Sequence, residues 1–167
     1  MKTGKGGKGG KPGEEPGVKV VAQNRRARFE YGIEDTWEAG LALTGSEVKS
    51  LREGNVGLSD AYAMPRGDEL FLVQCRIGEY KQAASFGHPP LRDRKLLMRR
   101  AEIDRVRGKV EQRGYTLVPL RLYFKDGWAK VEIGLAKGRT HEDRRDAISE
   151  RESKREIDRA MSRARRR

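Results

Sequence analysis

Two alternating apolar runs on either side of Asp126-Gly127 constrain the fold more than any other feature of this sequence. Every second residue is apolar from position 118 to 124, and the alternation resumes from position 129 to 135. A period of two is typical of strands that bury one face, and Asp-Gly between such runs is a strong hairpin signal. Pro119 lacks a backbone donor, so it predicts an edge or a bulge in the first strand.

Shorter elements are predicted upstream of this hairpin. Alternating residues predict a strand over residues 37–44 and another over 70–77, the second with its odd-numbered residues on one face. The run Thr44-Gly-Ser-Glu47 has the pattern of a capping box, which predicts a short helix that ends at Gly54. A second helix is predicted over residues 101–113. These elements are all short, and long helices do not alternate with the strands.

Several short antiparallel strands with short helices between them indicate a closed barrel, because closure removes the exposed sheet edges. The five-stranded OB type fits this length. We therefore predict a mainly β fold, a small OB-type antiparallel barrel with short added helices and a basic C-terminal tail.

Composition divides the chain into three parts. Residues 1–17 mix lysine with glycine and predict a disordered basic leader, whereas residues 18–136 carry nearly all the large apolar side chains and form the predicted barrel. Residues 137–167 are mostly charged, with one narrow apolar strip at helical spacing. That strip is too thin to hold the tail on the barrel, so we expect a tail that is disordered alone and helical when docked.

The charge balance indicates a polyanionic partner. The 167 residues include 37 Lys and Arg against 25 Asp and Glu, a formal net charge of +12. No long apolar run or lipidation motif is present, which favours nucleic acid over a membrane surface. The lone cysteine, Cys75, cannot form an internal disulfide. It is interpreted as a small core residue of a cytoplasmic protein.

Catalytic constellations are missing from the sequence. It has only two histidines, and no nucleophile elbow, phosphate loop or dinucleotide-binding glycine motif. His88 precedes two prolines, which favours a surface or RNA-stacking role. His141-Glu142-Asp143 are adjacent, and three adjacent residues rarely converge on one ion. We therefore expect no catalytic residue, no metal site and no cofactor: the chain is not predicted to be an enzyme.

Three basic groups flank the predicted barrel: Asn24-Arg25-Arg26-Ala27-Arg28, Arg92-Asp93-Arg94-Lys95, and the tail. Each alone is as compatible with a solvated charged face as with a binding site. Together they are typical of a nucleic-acid-binding barrel, and arginine pairs with phosphate bidentately and stacks on exposed bases.

The same residues carry a resemblance to a known family. The first basic group is followed by Glu38-Ala-Gly-Leu-Ala-Leu43, Glu47-Val-Lys-Ser-Leu-Arg52 and Arg92-Asp-Arg-Lys-Leu-Leu97. Leu120 through Phe124, Lys130-Val-Glu-Ile-Gly-Leu135 and Arg151 through Arg159 continue the series. In this order they resemble the small protein B family of transfer-messenger RNA-binding proteins, over roughly residues 18–163.

The resemblance implies an OB-type barrel, a cytoplasmic location and a role in trans-translation. It implies binding to the tRNA-like part of transfer-messenger RNA and entry into the A site of a stalled ribosome. The implied partners are that RNA, the decoding centre and mRNA channel of the ribosome and, indirectly, elongation factor Tu. No membrane partner is implied.

Residue roles are carried over from the matched motifs and the basic groups. The RNA-binding set predicted in this way is Asn24, Arg25, Arg26, Arg28, Glu38, Arg92, Arg94, Lys95 and Leu97. Glu38 stands out because an acid in a phosphate-binding surface does not neutralise charge. We expect it to accept hydrogen bonds from base edges or to orient a neighbouring arginine. A solvent-facing strand position without a role is the alternative.

The tail motif implies residues that engage the ribosome: Gly138, Arg139, His141, Asp143, Arg144 and Arg145. Two positions depart from the family pattern. Thr140 replaces a usual lysine, and Glu142 stands where many members carry an aromatic residue or histidine, so a stacking role would pass to His141. A ribosomal or ribosome-assembly protein is the rival interpretation, and a DNA-binding OB domain is a weaker third. The order of the motifs favours small protein B.

Overall fold

The computed structural model describes residues 15–112, 114–138 and 141–165, with the side chains of 84–86, 141–144 and 147 left out of the description. Its nine strands within these ranges are β1 (Val18–Gln23), β2 (Tyr31–Leu41), β3 (Val56–Gly57), β4 (Tyr62–Arg66), β5 (Glu69–Val73), β6 (Arg76–Ile77), β7 (Arg94–Leu97), β8 (Tyr115–Lys125) and β9 (Trp128–Gly138). Its helices there are α1 (Arg25–Glu30), α2 (Gly45–Arg52), α3 (Arg100–Val110), α4 (His141–Arg165) and a short 3-10 helix (Lys81–Phe86).

Seven strands form one antiparallel sheet that closes on itself. Its order is β1-β8-β4-β5-β7-β2-β9, and a further pairing of β8 with β9 closes a ring of six strands, with β1 attached outside it to β8. The predicted mainly β fold with a small antiparallel barrel is confirmed. The ring has one strand more than expected because β7, from the basic stretch, bridges β5 and β2.

The predicted hairpin is confirmed as β8 and β9. Asp126 and Gly127 have φ angles of +51° and +84°, the left-handed pair that suits a tight turn between strongly twisted strands. Pro119 lies where the β8–β9 register shifts, between Pro119 and Arg121. The bulge expected from its missing donor is therefore present.

The predicted strand over residues 70–77 is wrong in its length and in its facing. β5 ends at Val73, and Gln74 takes a φ of +58°, so the chain turns out of the barrel. It then forms β6, which pairs with β3 in a separate two-stranded sheet. Leu70 and Leu72, rather than Phe71, are fully buried. The turn breaks the alternation, so odd-numbered residues on its two sides do not share a face.

The capping box at the start of α2 continues into a buried ionic cluster. Glu47 accepts from the Thr44 backbone N–H at 3.1 Å, as the sequence predicts. Its carboxylate also binds the guanidinium groups of Arg94 and Arg92, at 2.5 Å for Arg92 Nη2. Glu47 and Arg94 have side chains that are 0% exposed, whereas Arg92 is 37% exposed. Burial alone would raise the pKa of Glu47, but hydrogen bonds from Arg94 and Arg92 outweigh it and hold that pKa below its ordinary value.

Arg94 connects α2 to two loops. Its Nη1 donates to the Cys75 carbonyl at 2.6 Å and its Nη2 to the Pro90 carbonyl at 3.2 Å. Cys75 is buried, as predicted, and burial raises the pKa of its thiol to about 11. The same guanidinium therefore ties the turn after β5 and the loop before β7 to the first turn of α2.

His88 is buried, which corrects the prediction of a surface or RNA-stacking residue. Its Nε2 lies 3.0 Å from the Ile77 carbonyl and its Nδ1 2.9 Å from the Ser46 hydroxyl. A carbonyl only accepts, so Nε2 carries the proton and Nδ1 accepts from the serine. The imidazole joins β6 to α2 beside the ionic cluster.

Residues 141–165 of the C-terminal tail form a single helix, α4. All the described side chains of α4 are exposed, and Arg151 lies over the Phe29 ring of α1 at 5.9 Å. Its helical state is confirmed, whereas loss of the helix without a partner stays a prediction. Strand β9 continues to Gly138, two residues beyond the predicted boundary at 136. None of the helices in the described ranges is long and apolar enough to cross a membrane.

Removing Arg94 should destabilise the domain strongly. Arg94→Ala leaves the Glu47 carboxylate buried with only the half-exposed Arg92 as its cation. Breaking a buried ion pair from one side costs about 3–5 kcal/mol. Arg92→Ala is the matched control and should cost less, since it keeps the buried pair. Urea unfolding of both variants measures the difference, and equal losses would show that burial of the pair is not what matters.

The Glu47 cluster should also make the domain sensitive to acid. Folding lowers the pKa of Glu47 from its reference value of 4.5. Ionised Glu47 therefore contributes its full share to the free energy of unfolding above about pH 4.5, and this contribution is lost as the pH falls through the lower pKa of the folded state. Glu47→Gln should therefore have a free energy of unfolding that changes less than that of the parent between about pH 5 and pH 3. Parallel pH profiles for the two proteins would contradict this assignment.

Candidate RNA interface

The outer face of the barrel carries two rows of residues that pair across neighbouring strands, five of the seven with polar side chains. Directly opposed residues in an antiparallel pair project to the same side of the sheet. Glu38 on β2 pairs with Glu132 on β9, which in turn pairs with Arg121 on β8. One step along the strands, Leu97, Gly40, Lys130 and Tyr123 pair in the same way across β7, β2, β9 and β8. We call these seven residues the outer-face patch.

Two carboxylates face each other in the first row, and each has a cation of its own. Arg121 Nε donates to Glu132 Oε2 at 2.5 Å, and Lys125 Nζ lies 3.4 Å from Glu38 Oε2. Arg28 of α1 approaches the second oxygen of Glu132 at 3.8 Å. Opposed like charges would otherwise destabilise the strand pair. These contacts offset the repulsion between the two carboxylates and extend the patch to α1.

Glu38 is an oriented, ionised hydrogen-bond acceptor. A hydrogen bond from the Tyr123 hydroxyl, partly offset by desolvation and aided by Lys125, lowers the pKa of Glu38. Among the described residues, the hydrogen bonds to this carboxylate end on Oε2, and the Glu38 side chain is 39% exposed. Tyr123 is held in turn under the Arg121 guanidinium, 4.6 Å above its ring. The expectation of a base-edge acceptor fits this geometry, and Glu38 contacts a tyrosine and a lysine instead of an arginine.

Leu97 lies over a strand position that has no side chain. A Cβ atom built on Gly40 would come within 3.1 Å of Leu97 Cβ, so glycine at this position allows the leucine to lie across β2. Leu97 is still 52% exposed. Lys95, two residues earlier on the same face of β7, pairs with Glu69 at 2.8 Å. The structure thus brings the predicted Glu38, Lys95 and Leu97 together on one surface.

Asn24 and Arg94 are buried, which differs from the surface positions expected from the sequence. Asn24 caps α1: its Oδ1 accepts from Ala27 N at 3.1 Å, and its Nδ2 donates to the carbonyls of Pro119 and Leu58 at 3.1 and 3.3 Å. Both amide atoms are thereby used to fix α1 against the β8 bulge. Arg94 is in the buried cluster with Glu47. These two residues fix α1 and the start of β7 from inside the fold and do not lie on its outer face.

Helix α1 lies on the outer face, beside the patch. Ala27 packs into a small second core with Val118, Leu120 and Ala136, so the rest of the helix projects outward. Arg25, Arg26 and Arg28 are all exposed, and Arg26 pairs with Glu30 at 2.6 Å. Arg92 is separated from this group, since its guanidinium binds Glu47 on α2.

The predicted tail residues are only partly described. Gly138 ends β9, and Arg145 is exposed on α4. His141, Asp143 and Arg144 belong to the first turn of α4, but their side chains lie outside the description, and Arg139 lies wholly outside the described residues. Their roles stay predictions.

Sequence reasoning missed the residues that complete the patch: Gly40, Arg121, Tyr123, Lys130 and Glu132. The signal was present in the hairpin, where polar residues alternate with the apolar ones. The apolar residues of this alternation were used to predict the core, and the polar residues between them were given no role. Within the described ranges, no three His, Cys, Asp or Glu side chains converge as metal ligands.

Comparison with known proteins identifies the family. The family model described as SmpB protein matches residues 21–163. The SsrA-binding protein of Anaeromyxobacter dehalogenans strain 2CP-C is 84% identical over 149 residues, covering 89% of this chain and 91% of that protein. The SsrA-binding protein of Myxococcus xanthus strain DK1622 is 64% identical over 158 residues, covering 95% and 98%.

A solved structure agrees with these relatives. A chain from the structure "tmRNA-SmpB: a journey to the center of the bacterial ribosome" matches with a TM-score of 0.62 at 45% identity, over 76% of this chain and 93% of that one. Family model, relatives and fold thus agree over most of the sequence. This chain belongs to the SmpB family of SsrA-binding proteins.

Proposed function

We propose that this protein binds the tRNA-like domain of transfer-messenger RNA and carries it to the A site of a ribosome stalled on a truncated message. It acts by binding and not by catalysis, in the cytoplasm. The charged complex arrives with elongation factor Tu, and translation then switches to the reading frame of that RNA. Family membership supports this proposal, and so does the outer-face patch.

The observation that carries the RNA-binding surface is the ionised, oriented Glu38. A carboxylate accepts hydrogen bonds from base amino groups but repels phosphate. It therefore belongs where bases or sugars approach, with the cations of Lys130, Arg121 and Arg28 placed around it for the backbone. Leu97 supplies an apolar surface beside it. Unpaired or loop regions of structured RNA present base edges in this way.

The tail has a separate role in this proposal. Its 25-residue helix spans about 37 Å at 1.5 Å per residue, a length suited to a channel walled by RNA. We assign the vacant mRNA path as that channel, and Gly138, Arg139, His141, Asp143, Arg144 and Arg145 as the residues at its entrance. An acid at the start of α4 favours the positive end of the helix, while the basic residues engage ribosomal RNA.

Substitutions in the patch should weaken RNA binding without unfolding the barrel. Glu38→Ala and Lys130→Ala should each make the free energy of binding to the tRNA-like domain less favourable by about 1–3 kcal/mol, the range for hydrogen bonds to charged groups. Glu53→Ala, an exposed carboxylate at the end of α2, is the matched control. Gel shifts with the RNA and with a DNA duplex measure this effect, since the parent should prefer the RNA at physiological salt. Unchanged affinity in both patch variants at an unchanged Tm would remove the patch from the proposal.

Loss of the tail should separate RNA binding from ribosome rescue. The chain has to be ended after Gly138, because Ala136 is buried and pairs with Ile33 of β2. This truncated protein should bind the tRNA-like domain within about twofold of the parent, as the patch is intact, while tagging on a stop-less message falls to background. A triple variant, Asp143→Ala, Arg144→Ala and Arg145→Ala, should behave likewise in a reconstituted system. Tagging that survives truncation would make the tail dispensable, and loss of RNA binding would show that body and tail are not separate.

A further inference from the structure

We propose that Trp128 forms the outer end of the RNA-binding surface and stacks on an unpaired base of the tRNA-like RNA. Trp128 is the first residue of β9, directly after the hairpin turn, and is 74% exposed. It is the most exposed large hydrophobic side chain of the described residues. This inference rests on the proposed function, since it extends the same surface.

Strand register places the indole on the same face as the patch. Trp128 pairs with Lys125 across the turn, Tyr123 with Lys130 at the next outward position, and Arg121 with Glu132 at the one after. All these pairs lie opposite the core, so the face of the hairpin continues from the paired carboxylates to its tip. At about 3.4 Å per residue, Trp128 lies roughly 14 Å along β9 from Glu132, which is the span of a few stacked nucleotides.

Backbone hydrogen bonds to Gly17 and β1 hold the tip of the β8–β9 hairpin in place. The backbone N–H of Asp126 donates to the Gly17 carbonyl at 3.2 Å, and β1 pairs with β8 from Val18↔Lys125 onward. Strand β1 therefore fixes the position of the turn and of the backbone that carries Trp128. A rigid aromatic loses little conformational freedom when a ligand covers it.

The chemistry around the indole favours a nucleotide over an apolar protein surface. Lys125 stands opposite Trp128, and Lys130 follows two residues along the same strand. An aromatic face with cations spaced along a strand combines base stacking with phosphate neutralisation, as in single-strand-binding surfaces. Lys125 has the Glu38 carboxylate within 3.4 Å, but an apolar protein partner would still require both lysines to lose water, which is costly for charged groups.

Two substitutions of Trp128 test the proposal: one keeps an aromatic ring, and the other keeps only an apolar side chain. Trp128→Phe keeps a stacking ring and should bind the tRNA-like domain within about threefold of the parent. Trp128→Leu keeps the apolar bulk alone and should bind about 5- to 150-fold more weakly, the range for loss of one base–aromatic stack. Its salt dependence should not change, because no phosphate contact is lost, whereas Lys130→Ala should lower the slope. Leu91→Ala, which removes another exposed apolar side chain, is the control.

Fluorescence gives a direct readout of stacking. Titration with the RNA should quench the parent, and the quenching should disappear in Trp128→Phe, in which Trp37, covered by Lys109 at 5.4 Å, remains as the reference. Equal affinity of Trp128→Leu and the parent, or quenching that persists in Trp128→Phe, would overturn the proposal. If the parent itself does not bind the RNA, the proposed function fails. If the Trp128 variants bind the RNA as tightly as the parent does while Glu38→Ala binds it more weakly, the inference about Trp128 fails and the proposed function stands.

Discussion

The buried pair of Glu47 and Arg94 is the interaction on which the rest of this fold depends. A fully buried carboxylate is costly unless cations and donors surround it, and here two guanidinium groups and the Thr44 N–H do so. The same arginine holds the carbonyls of Cys75 and Pro90. Helix α2, the turn after β5 and the start of β7 are therefore fixed by one cluster. Strand β7 in turn bridges β5 and β2 and completes the ring.

Fixing β7 has a consequence for the outer face. Arg94 and Leu96 point inward, so alternation forces Lys95 and Leu97 outward, beside Gly40 of β2. The buried ionic cluster thus positions one side of the proposed RNA-binding surface, and Asn24 positions the other by fixing α1 to the β8 bulge. Two arginine-rich motifs that look alike in the sequence divide into buried supports and exposed contacts. The cap and packing of α1 assign the residues of the first motif, and the register of β7 assigns those of the second from Arg94 onward.

The sequence predicted the elements that depend on local chemistry. The Asp126-Gly127 turn, the Pro119 bulge and the Thr44–Glu47 capping box follow from backbone constraints that a few residues impose. The break in the strand predicted over residues 70–77 was missed because the positive φ of Gln74 has no clear signature in a polar residue. His88 and Arg94 could not be placed, since their burial depends on partners 42 and 47 residues away. The patch required knowledge of which strands are neighbours.

The central claim is that one continuous outer face, from α1 through Glu38 and Leu97 to the hairpin tip, binds the tRNA-like RNA. Backbone amide NMR of the full chain, titrated with that RNA, tests this most directly. Shifts and broadening should concentrate on α1, on β2 near Glu38, on Leu97 and along β8–β9 from Arg121 to Lys130. Little change should occur in α3, whose Arg100 and Arg107 are paired with Asp68 and Asp104. Perturbation centred on α3, with the outer face unaffected, would contradict this claim.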